Sequence, residues 1–544
     1  LVLEDIHWAD EATLDVLSLL ARRIEPIPAL IIATYRDDEL GRTHPLKMLL
    51  GEFRNTRSTR RLKVEALSLD AVAALALPFG VDGEALYRAT SGNSFFVTEA
   101  LAQASGGIPA TVRDAVLARV ARLDTAATTL LEAVAIAPAQ TELWLLDALV
   151  PGGVDALEQC LSSGMLEAVP NAVAFRHELA RIAVEESLPP NRRAALHRRA
   201  LRALEAPPSG SADLARLAHH AEAAGDTAAV VKFAPAAAEH AAGIGAHREA
   251  AAQFARALRF ADDLPADIRA TLLERRSYEC YLTDLSDDAV TSLQRAIECR
   301  RELGDTLGEG AALSSLSRRL WCSGRIEEAE SVGWKALRLL ENLPPGRELG
   351  LVYSNLSQLS MNAEDFDATV LWGTRALELA EKLGDSAIVA HSLNNIGTMQ
   401  LLAGMPAGLE KLERSLALAE SANLEEHLGR VFVNVGLAIT RTRAYQFAPW
   451  LDRGVDYCAD RGLERWGIYV VAYRARFLLD RGNWDEAANE ATFVLQASQS
   501  ARLTRILALT VLGLVRARRG DPEQWAPLDE ALALAEGEDV LQFT

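Results

Sequence analysis

The chain has 544 residues and a mass of 58.9 kDa, more than one core holds at ~100–200 residues per domain, so several domains or a repeat array are expected. Hydrophobic residues make up 49 % and charged residues 24 %, with 35 Gly and 20 Pro, a globular balance that excludes a largely disordered chain. The 56 basic against 75 acidic residues leave a net charge of −19, which repels phosphate backbones and disfavours nucleic-acid binding by this chain.

In chain order, Leu1-Val2-Leu3 reads as a strand that ends in the acidic pair Glu4-Asp5. Asp10 can cap a helix from Glu11 to Ile24, whose apolar positions Leu14, Leu17, Leu20, Ala21 and Ile24 recur at helical spacing. Ala29 to Ala33 is a continuous apolar run, which predicts a strand buried on both faces of a parallel, doubly wound sheet. Arg61 to Leu67 is a third candidate strand. Residues 68–107 read as short helices broken at Pro78-Phe79-Gly80 and at Ser91-Gly92-Asn93. Within 109–205, Met165–Val169 and Ala172–Phe175 flank Pro170-Asn171 as a hairpin. A helix before it (Ala156–Ser162) and one after (His177–Ser187) suggest a winged helix. Ala206 to Ser211 reads as a linker.

Beyond the linker the sequence repeats. Ala257, Ala296, Ala336, Ala376, Ser415 and Gly454 stand 39, 40, 40, 39 and 39 residues apart. A second series, Ser317, Ser357, Gly397, Gly436, Ala475 and Gly513, runs beside it at 38 to 40. Each series of small residues is expected on one helix of a pair, allowing close packing, with turns at Gly304-Asp305, Gly384-Asp385, Gly482-Asn483 and Gly520-Asp521. A period near ~40 with two helices per unit predicts an α-solenoid. The aromatic residues of this region, among them Trp321, Trp334, Tyr353, Trp372, Trp450, Trp466, Tyr469 and Trp484, read as interhelix packing.

The five cysteines, Cys160, Cys280, Cys299, Cys322 and Cys458, are odd in number and never spaced CxxC. That argues against a disulfide framework and fits a reducing, cytoplasmic compartment. No apolar run approaches the ~18–20 residues of a membrane span. His219-His220, His240 and His247 lack metal-ligand spacing and read as solvated helix positions. The chain begins at Leu1 inside a strand, so it is expected to be a fragment.

A strand ending in two carboxylates suits a Mg²⁺ site of Walker B type, because ligands bind outside the carboxyl ends of parallel strands. Taken alone, the pair reads equally as solvated strand-end acids. Arg36, at the end of the second strand, could reach a γ-phosphate from the same edge or pair with Asp37 or Asp38.

The segments 1–10, 31–40 (IIATYRDDEL), 90–101 (TSGNSFFVTEAL), 108–117 (IPATVRDAVL), 175–188 (FRHELARIAVEESL) and the array together resemble the large ATP-binding LuxR-type transcriptional regulators, members of the STAND class of signal-transducing NTPases. The resemblance implies a mainly α chain. Residues 1–67 would be the C-terminal remnant of a P-loop NTPase α/β core, 68–108 a helical lid, 109–205 a winged-helix-like domain and 206–544 tetratricopeptide-like repeats. It further implies an ATP-switched regulator with ATP and Mg²⁺ as cofactors, an inducer or partner protein at the array, and DNA contact only through a C-terminal helix-turn-helix beyond this chain. Self-association is compatible with it.

By resemblance, Glu4 takes the metal place, Asp5 the catalytic, water-positioning place and Arg36 the sensor place. Gly92-Asn93 would lie near the adenine, and His177 would sense phosphate. The chain departs from the family pattern at Glu4, where Asp is commoner, and at Ser94, where Pro is usual. No GxxxxGK[ST] occurs, so the phosphate cradle is missing and these 544 residues are expected not to hold ATP usefully. The alternatives are the regulatory portion of a nucleotide cyclase-type signalling protein and a repeat scaffold with an inactive ATPase.

Overall fold

A computed structural model describes residues 1–535 apart from 25–26, 36–39, 41–43, 54–58, 91, 95–96, 99–100, 102–111, 139, 284, 462 and 498–501. The chain forms two compact units, Leu1–Arg60 with His240–Thr544, and Arg61–Glu239. It is mainly α, as expected, and no described helix is long and apolar enough to cross a membrane.

In the first unit, β1 (Val2–Leu3) pairs in parallel with β2 (Ile32–Ala33), joined through α1 (Glu11–Arg23) and followed by α2 (Pro45–Phe53). Asp10 caps α1 by accepting from Thr13 N–H at 2.7 Å. Ile6, Leu14, Leu17, Leu46 and Leu49 form the small core here. The double burial expected of residues 29–33 does not hold: Leu30 is 71 % and Ile32 49 % exposed. Among the described residues two strands pair here, and the helices pack to one core.

The second unit opens on Arg61–Leu67, which is not a strand. Leu62 and Val64 are exposed, and the backbone of Leu67 donates instead to Gly92 O at 2.8 Å. Helices α3 (Leu69–Ala76) and α4 (Gly83–Thr90) follow, separated by a 3₁₀ turn and Gly80 at φ 63°. Next come α5 (Val112–Val120), α6 (Thr125–Ala135), β3 (Thr141–Glu142), α7 (Leu143–Leu149) and α8 (Leu157–Ser162). Strands β4 (Leu166–Val169) and β5 (Ala172–Phe175) make an antiparallel hairpin through Asn171 at φ 57°. β3 adds to its β5 side, completing a three-stranded sheet. Then follow α9 (Glu178–Ser187), α10 (Pro190–Leu204), α11 (Leu214–Ala224) and α12 (Thr227–Gly243).

The array of the first unit is α13 (His247–Leu258), α14 (Ala266–Leu282), α15 (Ser286–Glu302), α16 (Thr306–Cys322), α17 (Ile326–Leu340), α18 (Arg347–Asn362), α19 (Phe366–Leu383), α20 (Ser386–Leu402), α21 (Ala407–Ser421), α22 (Glu425–Thr442), α23 (Pro449–Asp460), α24 (Glu464–Arg481), α25 (Trp484–Gln496), α26 (Arg502–Arg519) and α27 (Trp525–Ala535). The two small-residue series fall on alternate helices, the first on odd-numbered and the second on even-numbered ones.

Their work is visible atom by atom. Ser277, Ser317 and Ser357 each donate Oγ–H to the carbonyl twelve residues on, Ala289, Ala329 and Thr369, at 2.8, 2.6 and 2.9 Å. At Gly397 the series drops its side chain because a Cβ there would lie 2.7 Å from Gly408 O. Backbone thus meets backbone where the serines bridge. The aromatic residues pack between helices, with Tyr353 stacked on Trp372 at 5.7 Å and Trp334 edge-on to Trp372 at 5.6 Å. All five cysteines are unpaired.

Candidate functional site

The even-numbered helices α14 to α22 lie side by side, and their row bends far enough for its ends to touch. Tyr281 of α14 donates its hydroxyl to Glu426 Oε1 of α22 at 2.6 Å, across 145 residues of sequence. A row whose distant members meet must curve with these helices on the inside, and such inner faces are where α-solenoids bind.

Glu426 is the hub of this closure. Its Oε1 also accepts from Arg430 Nη2 at 2.8 Å and from Arg318 of α16, while Arg430 Nη2 lies 3.2 Å from the Tyr281 hydroxyl. Arg319 is 8 % exposed and sits 3.8 Å above the Tyr281 ring. Two guanidinium groups therefore bind one carboxylate, and a third stands over the ring of the tyrosine that donates to it. Burial alone would raise the Glu426 carboxyl, but Arg318 and Arg430 outweigh it and hold the group well below the usual carboxylate range. Burial pushes the Tyr281 phenol up to about 12 and the Arg319 guanidinium below its ordinary value.

Polar groups continue along the inner face. His391 of α20 bridges Ser354 Oγ and Gln358 Oε1, each at 3.1 Å, and stacks obliquely on His427. Burial keeps both rings neutral, His427 down to about 4 and His391 well below its ordinary value. Asn434 donates to Asn394 Oδ1 at 2.7 Å and Asn355 to Ser317 Oγ at 2.9 Å. Buried and without a hydrogen-bond partner are Arg318 Nε, Arg319 Nε, His427 Nδ1 and Asn394 Nδ2. Donors buried in this state cost ~1–3 kcal/mol each unless something accepts from them. Fixed positive charge and surplus donors are thus buried between these helices, and an anion rich in acceptor oxygens would match them where the helices part.

The residues anticipated for nucleotide are placed as follows. Glu4 is exposed at the end of β1. Asp5 adopts the left-handed conformation at φ 54°, donates its backbone N–H to Thr34 Oγ1 at 3.0 Å and has Oδ1 4.0 Å from His7 Nδ1. The carboxylates thus stand at the carboxyl edge of the parallel pair. Arg36 lies outside the described residues. In the second unit, Gly92 at φ 74° leaves room for Leu67 O, which a Cβ would approach to 2.1 Å. Asn93 continues that turn, and His177 is the exposed residue preceding α9, with its carbonyl accepting from Ala180 N–H at 2.9 Å. No GxxxxGK[ST] sequence accompanies these carboxylates.

The inner-face cluster was not anticipated. Its signal was present only as polar residues at helical positions that repeat-spacing makes buried, such as Arg318-Arg319 beside the small residue Ser317. The histidines also need correction: His220 is 1 % exposed, and His247 pairs with Glu279 Oε2 at 2.8 Å. A helix face that packs on a neighbour buries whatever residue occupies it.

No family model matches the chain, and no curated protein matches it. Among solved structures it is similar to a signal transduction ATPase with numerous domains (STAND) protein with a tetratricopeptide repeat sensor from Pyrococcus horikoshii, at 16 % identity and TM-score 0.40, over 98 % of this chain and 80 % of that one. It is also similar to a Rap protein complexed with competence and sporulation factor, at 13 % and 0.42 over 64 % and 94 %. A third is BtubC from P. vanneervenii, at 20 % and 0.31 over 44 % and 93 %.

Proposed function

We propose that the repeat array is the sensor of an ATP-switched, signal-transducing transcriptional regulator, and that its inducer is an anion bound on the inner face. The observation that carries the sensor reading is the hub at Glu426. An internal carboxylate holds α14, α16 and α22 together by occupying guanidinium groups that an external carboxylate or phosphate would also seek. An anionic inducer with two or more acceptor groups can take Arg319 and the partnerless Arg318 Nε, compete with Glu426, and so shift the array between a self-closed and a ligand-closed arrangement. The ligand moves that balance only by binding one arrangement better than the other.

Within this reading Glu4 and Asp5 stand where a magnesium nucleotide would be met, with Arg36 as its sensor and Gly92, Asn93 and His177 as further contacts. No GxxxxGK[ST] occurs in these 544 residues. The test is thermal unfolding of the chain against a panel of dicarboxylates, inorganic phosphate and acidic peptides. One anion class should stabilise the wild type saturably, lose its effect in Arg319→Met and bind more tightly to Glu426→Gln. No response from any anion, or an unchanged response in Arg319→Met, returns the array to a scaffold role.

A further inference from the structure

We propose that His197, His219 and His220 form a three-nitrogen site for a zinc-class divalent transition ion that ties α10 to α11. The two helices, separated by the turn-rich stretch 205–213, pack along faces on which Leu196, His197, Ala200 and Leu201 meet Leu217, Ala218, His220 and Ala221, all buried. In the middle of these apolar faces stand three imidazoles in a near-equilateral triangle. Their ring centroids are 5.1, 5.1 and 5.8 Å apart, and each ring offers a nitrogen within 4.8 Å of the others.

The closest approach is between His197 Nδ1 and His220 Nδ1, 2.9 Å apart. Two tetrahedral ligands at ~2.0–2.1 Å from zinc stand ~3.3 Å apart, so the rings need separate by only a few tenths of an ångström to admit the ion. A carboxylate lies beyond the other end of the His197 ring. The ring's buried Nε2 has no hydrogen-bond partner and sits 4.0 Å from Glu185 Oε1 of α9, whose Oε2 is held by Arg181 at 2.6 Å. A carboxylate behind the distal nitrogen of a ligating histidine is the usual outer-shell partner, fixing tautomer and raising basicity.

The surroundings favour the ion as well. His197 and His220 are 0 % and 1 % exposed, so two of the three rings are held inside the helix pair. Two of the neighbouring guanidinium groups are matched, Arg181 by Glu178 and Glu185, and Arg216 by a two-pronged bond to Glu142 at 2.6 and 3.0 Å, while Arg193 also stands near His197. Three imidazoles with no thiolate or carboxylate in the first shell suit zinc over magnesium or calcium, which want oxygen. His219 is half-buried, which leaves the fourth position reachable by water.

The experiment uses tag-free protein, washed with chelator and titrated with Co²⁺ and then Zn²⁺. The expected result is one intense four-coordinate Co²⁺ visible band per chain, displaced by one equivalent of Zn²⁺, with a matching rise in unfolding temperature. His219→Ala, at the half-buried corner and least able to disturb the fold, should abolish the band, and Glu185→Gln should weaken affinity about 10–100-fold. A weak six-coordinate spectrum, no binding after chelator treatment, or wild-type affinity in His219→Ala overturns the proposal and leaves His197 and His220 as a hydrogen-bonded neutral pair. Circular dichroism of each variant separates loss of ligand from loss of fold.

Discussion

Replacing Glu426 tests the closure of the array most directly. Tyr281, Arg318 and Arg430 all direct donors to its Oε1, so Glu426→Gln keeps an acceptor there but removes the charge, whereas Glu426→Ala removes both. Breaking a buried ion pair by deleting one partner costs ~3–5 kcal/mol, because the remaining charge is left without compensation. The amide should fall near the lower end and the alanine near the upper. At ~2 °C per kcal/mol for a unit of this size, the expected drop is about 6–10 °C.

A double-mutant cycle with Tyr281→Phe then isolates the contact across 145 residues. Directly bonded groups couple by ~0.5–3 kcal/mol, and distant independent ones add within ~0.5 kcal/mol. Measured by urea unfolding, additivity of Tyr281→Phe and Glu426→Gln would refute the closed array, whatever each variant costs alone. The pH dependence gives a second readout. Glu426 is held below the ordinary carboxylate value of 4.5, so its stabilisation is present above that pH and lost as pH falls through the lower folded value. Glu426→Gln should flatten that acid limb.

His427 and His391, kept neutral by burial, contribute stability that is full above 6.5 and declines toward pH 4 as the unfolded chain takes up protons first; His427→Gln should reduce the decline in that window in a pH series of melting curves. Gly397→Ala gains ~0.5–1 kcal/mol of helix propensity, yet its Cβ meets Gly408 O at 2.7 Å, so a net loss of roughly 1–2 kcal/mol is expected on unfolding, and net stabilisation would contradict backbone-to-backbone packing of α20 on α21. Mg-ATP should leave the unfolding temperature of this 544-residue chain unchanged, whereas a competent site at one hundred times its dissociation constant would add ~2.7 kcal/mol. A clear shift would show that the carboxylate edge at Glu4 and Asp5 binds nucleotide without the usual cradle.

The sequence by itself determined the repeat. Ser317, Ser357, Gly397 and Gly436 recur at 40, 40 and 39 residues because each helix pair must solve the same packing problem, and only small residues allow a close crossing. Hairpin and turns were equally legible, since Asn171 and Gly384 take positive φ for reasons of local sterics. Tertiary structure alone decided the rest. Burial of residues 29–33 depended on neighbours that a five-residue run cannot specify, and Arg61–Leu67 has the composition of a strand without a partner to pair with. The Glu426 hub and the His197, His219 and His220 triangle each join helices whose spacing in sequence carries no motif. Charge and imidazole chemistry are set there by three-dimensional neighbours, and those follow from how the helices stack and curve.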